Sequence, residues 1–267
     1  MDVELVTQFR SAGFVVLCDV FDPLPLAAEL TAALSDAFRG SAPANVGSGG
    51  SSFRYVPMMG ERTPHSLALL DTLSELAPTM LGRAAVATRA KGTEYFGETA
   101  WHRDSDRNLD SVGFVAYLEP LHGLDGALRV LPGSHRRDLS TIPVGVPARS
   151  ATVGEVVETE PGDVIVFDEH LYHGSARGTK RHQWRVDFFA DPQTAQEAAE
   201  VNAYLAGIFQ VGWDGGYDID RYPSYSQQWR TSRRRAAKRL HELGAYTLAD
   251  AEENAARARR AALLDHT

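Results

Sequence analysis

Trp101-His102-Arg103-Asp104 is the stretch on which the reading of this chain turns. His102 and Asp104 stand at i and i+2, a spacing that on a strand points both side chains to one face. A second histidine, His173, follows 71 positions after His102, just past the apolar run Gly162-Asp163-Val164-Ile165-Val166-Phe167. Two neutral imidazoles and one carboxylate on neighbouring strands make the facial triad that holds non-haem Fe(II) and leaves positions open for a cosubstrate and oxygen. A lone His-x-Asp triplet is common by chance. The second histidine, and the cation Arg185 twelve residues beyond it on the next candidate strand, give this one its weight.

The donor set carries chemical consequences. One carboxylate leaves Fe(II) with residual positive charge, which suits a bidentate 2-oxo acid and one further position for oxygen. The far carboxylate of such an acid needs a buried cation and a hydroxyl donor, because an unpaired charge in a dry pocket is expensive. Arg185 offers a planar fork matched to a carboxylate, and Ser175, two residues past His173, can donate the hydroxyl. Arg181 and His182 are rivals for the Arg185 role, since a shift in the strand boundary makes Arg181 the anchor. Arg185 is preferred for its place inside Trp184-Arg185-Val186-Asp187-Phe188-Phe189. His135 reads as structural, and His170 as outer support or surface.

Outward from the motif, residues 84–190 read as β-structure, with candidate strands at 85–96, 112–118, 127–131, 152–159, 162–167 and 183–190. Short strands without helical periodicity between them predict an antiparallel sandwich or barrel. In 85–96, Arg89, Lys91, Thr93 and Tyr95 alternate onto one face. Either that face is solvated, or it lines the barrel and Lys91 and Tyr95 meet cosubstrate or an anionic substrate.

Residues 1–83 supply helices and a first strand. A short helix at 2–10 precedes a strand at 14–21, and Asp22-Pro23 opens a helix over 24–39 with Leu26, Leu30, Leu34 and Phe38 at fourfold spacing. Thr63-Pro64 opens another, striped by Leu67, Leu70, Leu73, Leu76 and Met80 and running to Gly82. Between them lies the Gly- and Ser-rich stretch 40–52, a surface loop or an active-site lid, with Arg54 and Tyr55 placed to face what it covers.

Residues 191–267 return to helix, at 193–208, 224–243 and 247–263, with Thr247 and Asp250 resembling a capping box. The cluster Arg233-Arg234-Arg235, Lys238, Arg239 reads as a solvated face, with a phosphate or nucleic-acid site as the rival. Trp213, Tyr217, Tyr222, Tyr225 and Trp229 read first as core, then as a pocket wall or dimer surface.

Composition sets outer limits. The 267 residues are 43% hydrophobic and 23% charged, ordinary for a soluble globular domain. A net charge of −8 argues against general nucleic-acid binding. Cys18 is the single cysteine, so no intrachain disulfide or cysteine-based zinc site is available. No apolar run approaches the length of a membrane span, and the start of the chain lacks the pattern of a secretory signal. The expectation is a soluble, cytoplasmic protein, monomeric or homodimeric, without a membrane partner.

Four motifs in order then resemble the phytanoyl-CoA dioxygenase family of Fe(II)/2-oxoglutarate oxygenases over about residues 5–190. They are Trp101-His102-x-Asp104, Gly126-Ala127-Leu128-Arg129-Val130-Leu131-Pro132-Gly133-Ser134-His135, Gly162–Phe167, and His173-Gly174-Ser175 followed by Arg185. The resemblance implies a mainly β fold, a double-stranded β-helix (jelly-roll, cupin-like) with flanking helices, and a helical C-terminal extension beyond what the fold needs. It implies one oxygenase domain over 1–267, Fe(II) on His102, Asp104 and His173, and 2-oxoglutarate on Ser175 and Arg185. O2 is the oxidant, with 2-oxoglutarate converted to succinate and carbon dioxide. Halogenating relatives replace the carboxylate by a small residue, so Asp104 favours hydroxylation over halogenation. The expected substrate is a small anionic or polar metabolite, of secondary metabolism, met by Arg54, Tyr55, Arg103 and Arg129. The alternatives are a nucleotide-directed oxygenase using the basic helix, and a jelly-roll that binds without turnover.

Overall fold

Strand β7 (Ser111–Tyr117) is buried along its whole length, and the other strands are laid out from it. In this computed structural model the described residues are 3–38, 45–46, 52–123, 125–136, 145–148, 154–209 and 216–264. To one side β7 pairs with β10 (Val164–Asp168), which pairs with β1 (Phe14–Leu17). To the other side lies the ten-residue β12 (Arg181–Ala190), followed by β5 (Lys91–Phe96), β3 (Ser52–Pro57) and the short β2 (Asn45–Val46). The short β4 (Ala85–Ala87) borders the end of β12. A second sheet of four strands runs β6 (Thr99–His102), β11 (His173–Ser175), β8 (Leu128–Val130), β9 (Glu155–Val157). All pairings are antiparallel, and the two facing sheets form the expected jelly-roll.

Side-chain alternation sorts the faces of the large sheet. On β12, Trp184, Val186 and Phe188 join the core shared with the helices. Arg181, Gln183 and Arg185 look instead into the space between the sheets. The polar positions point inward and the apolar ones outward, because helices cover the outer face. The Trp184 indole donates to Ser66 Oγ at 2.7 Å, which itself donates to the Met58 carbonyl at 2.9 Å, so the covering layer is pinned to the sheet. On β5 a glycine marks the outer face. A Cβ on Gly92 would stand 2.5 Å from Met58 Sδ and 2.9 Å from Leu30. Lys91, Thr93 and Tyr95 therefore face inward, which decides between the two readings of that alternation. Residues 85–96 are two strands, with Arg89 in the break between them. Apolar residues of both sheets, Phe14, Val115, Ile165, Phe167, Leu128 and Val130 among them, fill the rest of the interior.

The covering helices are α1 (Val3–Ala12), α2 (Pro23–Ala37) and α3 (Pro64–Leu81). Asp22 caps α2 by accepting from the Leu24 amide at 3.1 Å. Thr63 makes no side-chain cap on α3. Its first turn is held by Glu29 of α2, which accepts from the His65 and Ser66 amides at 2.8 Å each, an anion at the positive end of the helix. Strand β1 is shorter than the apolar run 14–21 suggests, since Asp19 turns to a φ of 52° and leaves the extended region.

The C-terminal segment forms α4 (Ala195–Ile208), α5 (Gln227–Arg230), α6 (Arg235–Glu242) and α7 (Ala245–Leu264). The predicted helix over 224–243 is thus two, broken at 231–234. Thr247 lies inside α7 and caps nothing; the capping box is at Thr194, which accepts from the Glu197 amide at 3.1 Å while Glu197 accepts back at 3.3 Å. Tyr217, Tyr222, Tyr225 and Trp229 are buried core, whereas Trp213 and most of 40–52 lie outside the described residues. The basic cluster fastens this segment to α3 and to the end of β12: Arg234 grips Asp71 at 2.7 Å, and Arg235 and Arg239 both hold Asp191. Among the described residues no helix is long and apolar enough to cross a membrane.

Candidate active site

His102 ends β6 and His173 begins β11, and the two strands pair so that these residues stand directly opposite. Their ring centroids are 4.3 Å apart. Asp104 lies two residues beyond β6, where its amide and that of Ser105 donate to the Glu169 carbonyl at 3.0 and 3.1 Å. This turn swings its carboxylate back between the rings, with Oδ1 3.4 Å from His102 Nε2 and Oδ2 3.5 Å from His173 Nε2. One donor atom from each of the three residues falls within 4.8 Å of the others, the one such cluster among the described residues.

The donors are prepared for a metal. His102 Nδ1 lies 2.8 Å from the Ala100 carbonyl and His173 Nδ1 2.9 Å from that of Leu171. A carbonyl only accepts, so each Nδ1 carries the proton and each Nε2 presents a lone pair to the shared point. Burial pushes the His173 pKa down to about 4, so its imidazole is neutral near pH 7. Burial also opposes charge on His102, but the hydrogen bond and charge of Asp104 outweigh it and hold that pKa above the ordinary histidine value. Asp104 is held well below the carboxylate range, burial being overcome by Arg185 and the two histidines. Two nitrogen donors and one anionic oxygen on one side, with a cavity on the other, match the facial arrangement for Fe(II).

Behind Asp104 lies an ion network that the sequence did not disclose. Arg185 Nη1 meets Asp104 Oδ2 at 2.8 Å, Nη2 meets Glu169 Oε1 at 3.1 Å, and Nε meets Asp187 Oδ1 at 2.6 Å. All three nitrogens of the expected cosubstrate anchor are thus engaged by carboxylates of the chain. Tyr204 of α4 donates to Glu169 Oε2 at 2.7 Å, which links the C-terminal segment through Arg185 to Asp104. Burial and the neighbouring Asp187 push Glu169 up to about 7, against the pull of Arg185.

The other arginine of β12 is differently placed. Arg181 donates from Nη2 to Ser175 Oγ at 2.9 Å and from Nη1 to the Gly97 carbonyl at 2.8 Å, with its guanidinium 5.3 Å from the Tyr95 ring centre. Its Nε is buried and finds no hydrogen-bond partner. Arg181, Ser175, Tyr95, Gln183 and Thr99 line one cavity together with His102, Asp104 and His173.

The remaining candidates divide. Lys91 and Tyr95 face the interior, but of the two Tyr95 alone lines the cavity, and burial raises its phenol to about 12. Tyr55 is buried and accepts from Arg89 at 3.1 Å. Arg54 pairs with Glu94 on the outer face at 2.7 Å, Arg103 pairs with Asp106, and Arg129 donates to the Ala148 carbonyl at 2.5 Å beside Trp101. The structure brings none of these three arginines to the cavity.

The turn before His173 is held by flanking groups. Ser134, of the Leu131–His135 motif, accepts from the Tyr172 amide at 2.9 Å. His170 sits between two acceptors, Asp168 at 2.8 Å and the Arg107 carbonyl at 2.7 Å, and the Asp168 hydrogen bond raises its pKa to about 8. A raised folded-state pKa stabilises fully below the unfolded value of about 6.5 and is lost as pH rises through about 8. Discounted for partial exposure, the contribution is about 1 kcal/mol. The stability difference between wild type and His170→Asn, from urea melts, should therefore shrink by that amount between pH 6 and pH 9; a pH-independent difference would exclude the imidazolium.

With the geometry in hand, comparison with known proteins is informative. The epimerase SnoN from nogalamycin biosynthesis superposes with a TM-score of 0.58 at 18% identity, over 73% of this chain and 85% of its own. AviO1 from Streptomyces viridochromogenes Tue57 gives 0.55 at 22% identity, over 72% and 95%. EctD from S. alaskensis, solved with 2-oxoglutarate and 5-hydroxyectoine, gives 0.56 at 22%, over 72% and 77%. At such identities the likeness speaks for the fold. No curated protein sequence matches the chain. The profile of one family does, spanning residues 9–185 and so both strands of the triad and both inward arginines: the chain belongs to the phytanoyl-CoA dioxygenase (PhyH) family.

Proposed function

We propose that the protein is an Fe(II)- and 2-oxoglutarate-dependent oxygenase that hydroxylates, or otherwise oxidises, a C–H bond of a small polar metabolite. The observation that carries this is the meeting of His102 Nε2, His173 Nε2 and the Asp104 carboxylate at the wall of a cavity whose other end holds Arg181 and Ser175. When bound, iron and 2-oxoglutarate supply the oxidising power from O2. The chain binds, orients and keeps the site dry. Arg181 offers its unpartnered Nε, and Ser175 its hydroxyl, to the far carboxylate of 2-oxoglutarate. Val115, Leu128 and Phe167 wall the cavity with apolar surface and exclude water.

Arg181, rather than Arg185, takes the anchoring role in this proposal, because Arg185 is committed to Asp104, Glu169 and Asp187. Retention of Asp104 favours oxygen insertion over halogenation. The ties from Arg234, Arg235 and Arg239 to Asp71 and Asp191 favour a small metabolite over a nucleotide read by the basic helix.

The test is anaerobic titration with Fe(II) and 2-oxoglutarate, followed by the visible charge-transfer absorption of an iron-chelated 2-oxo acid. Wild type should develop the band. A charged hydrogen-bonded contact is worth about 1.5–3 kcal/mol, so Arg181→Met should weaken 2-oxoglutarate binding by about 10- to 150-fold. No band in wild type would remove the oxygenase reading; an unchanged affinity in Arg181→Met would remove the anchor.

A further inference from the structure

Lys91 is an inward-facing cation without a partner. It stands on β5 directly opposite Arg185 of β12, on the inner face with Thr93 and Tyr95, and its side chain keeps partial exposure. Among the described residues no hydrogen bond or ion pair reaches its ammonium. The carboxylates of Asp187 and Asp104 act on it from a distance, and both are held by Arg185. Burial, with repulsion from Arg185 and Arg89, lowers its pKa below the ordinary lysine value. An ammonium without a counter-ion in such a place opposes folding, and an apolar side chain of the same length would fill the position at less cost.

Its position also separates it from the cosubstrate end. Arg181 faces Tyr95 across the strand pair, and Arg185 faces Lys91. Four residues of strand at about 3.3 Å each put these two levels about 13 Å apart. Lys91 is level with Arg185, which grips Asp104, and it stands outside the ring of residues that lines the cavity of Arg181 and Ser175. Arg89 ties the neighbouring wall to the C-terminal segment, donating to Tyr55 Oη at 3.1 Å and Ser224 Oγ at 2.7 Å. That end of the interior is thus built jointly by β5, β3 and the C-terminal segment, and among the described residues the Lys91 ammonium there has no ion-pair partner.

We propose that Lys91 is the counter-ion for an anionic oxygen group, a carboxylate or a phosphate, on the molecule that the enzyme oxidises. This assignment rests on the oxygenase reading above. The ammonium is a compact point charge rather than a planar fork, so it fixes one end of the substrate without dictating the shape of the anion. Held there, the substrate presents its next few atoms to the triad, which makes Lys91 a determinant of which C–H bond is reached.

The experiment uses the full chain loaded anaerobically with Fe(II) and 2-oxoglutarate, the charge-transfer band serving as proof of loading. Inorganic phosphate and, separately, acetate are titrated by calorimetry into wild type, Lys91→Met and Lys91→Arg. At least one anion should bind wild type, bind Lys91→Met at least tenfold more weakly, and bind Lys91→Arg within a few-fold of wild type. The 2-oxoglutarate affinity should stay within twofold in all three proteins. The stronger of the two anions names the class, phosphate or carboxylate. The assignment is overturned if neither anion binds wild type, if Lys91→Met binds them equally well, or if Lys91→Met loses 2-oxoglutarate affinity as Arg181→Met does. Failure of the band to form in wild type would instead overturn the oxygenase reading.

Discussion

Arg185→Met is expected to lower the stability of the folded chain by about 3–5 kcal/mol, the cost of breaking a buried ion network by removing one partner. The side chain is 12% exposed and is the shared cation of Asp104, Glu169 and Asp187. Removing it leaves three buried carboxylates facing each other, and Glu169, already raised to about 7 by burial and Asp187, loses the cation that favours its charge. The chain then either takes up protons at these sites or opens to water. Urea denaturation at pH 7 measures the loss, and repeating it at pH 5.5 should recover part of it, because protonation relieves the repulsion. Arg181→Met, with Ser175 and the Gly97 carbonyl as partners, should cost far less stability while costing 2-oxoglutarate affinity. A loss below about 1 kcal/mol in Arg185→Met would show that the network contributes no more than an exposed ion pair.

The two arginines show where the sequence was legible and where it stopped. Positions 181 and 185 differ by four, so both point the same way from a strand, and alternation cannot separate them. Only the level along the strand does, and that depends on where β12 begins. Starting it at 183 places Arg185 near the beginning and Arg181 outside; the strand begins at Arg181, which puts Arg181 beside Ser175 and Arg185 against Asp104. The grouping of His102, Asp104 and His173 was readable because the first two lie two positions apart and His173 follows a recognisable buried strand. The strands that carry the histidines were not, since β6 has four residues, β11 three, and their polar side chains break any apolar pattern. Glu169 and Tyr204 are 35 residues apart, and a contact between a turn and a distant helix leaves no local trace. The long amphipathic helices were the easiest elements to place, because repeated burial of leucines at helical spacing is a signal that tertiary contacts reinforce.

Asp104→Gly is expected to keep the fold and lose the metal. In the chain without iron, this carboxylate is one of three on Arg185, so its removal leaves that guanidinium with Glu169 and Asp187. Arg185 Nη1 and the two imidazoles lose their shared anion, and because the depressed Asp104 pKa means that its charge stabilises the fold at neutral pH, the substitution should cost stability beyond the added backbone freedom of glycine. Asp104→Ala, which does not add that freedom, provides the correction. Metal binding falls much further than stability. Outer partners of metal ligands are worth about 10–100-fold in affinity, so loss of the single anionic ligand should weaken Fe(II) binding by more than about 100-fold. The vacated position also leaves room for chloride, yet substrate placement is unaltered, so product formation under saturating iron and chloride should be weak and hydroxylation lost. Fe(II) titration, urea melts and product mass on the same preparation separate these effects. Asp104→Gly that hydroxylates at the wild-type rate, or binds Fe(II) as tightly, would show that the carboxylate between the two imidazoles serves Arg185 alone and is not a metal ligand.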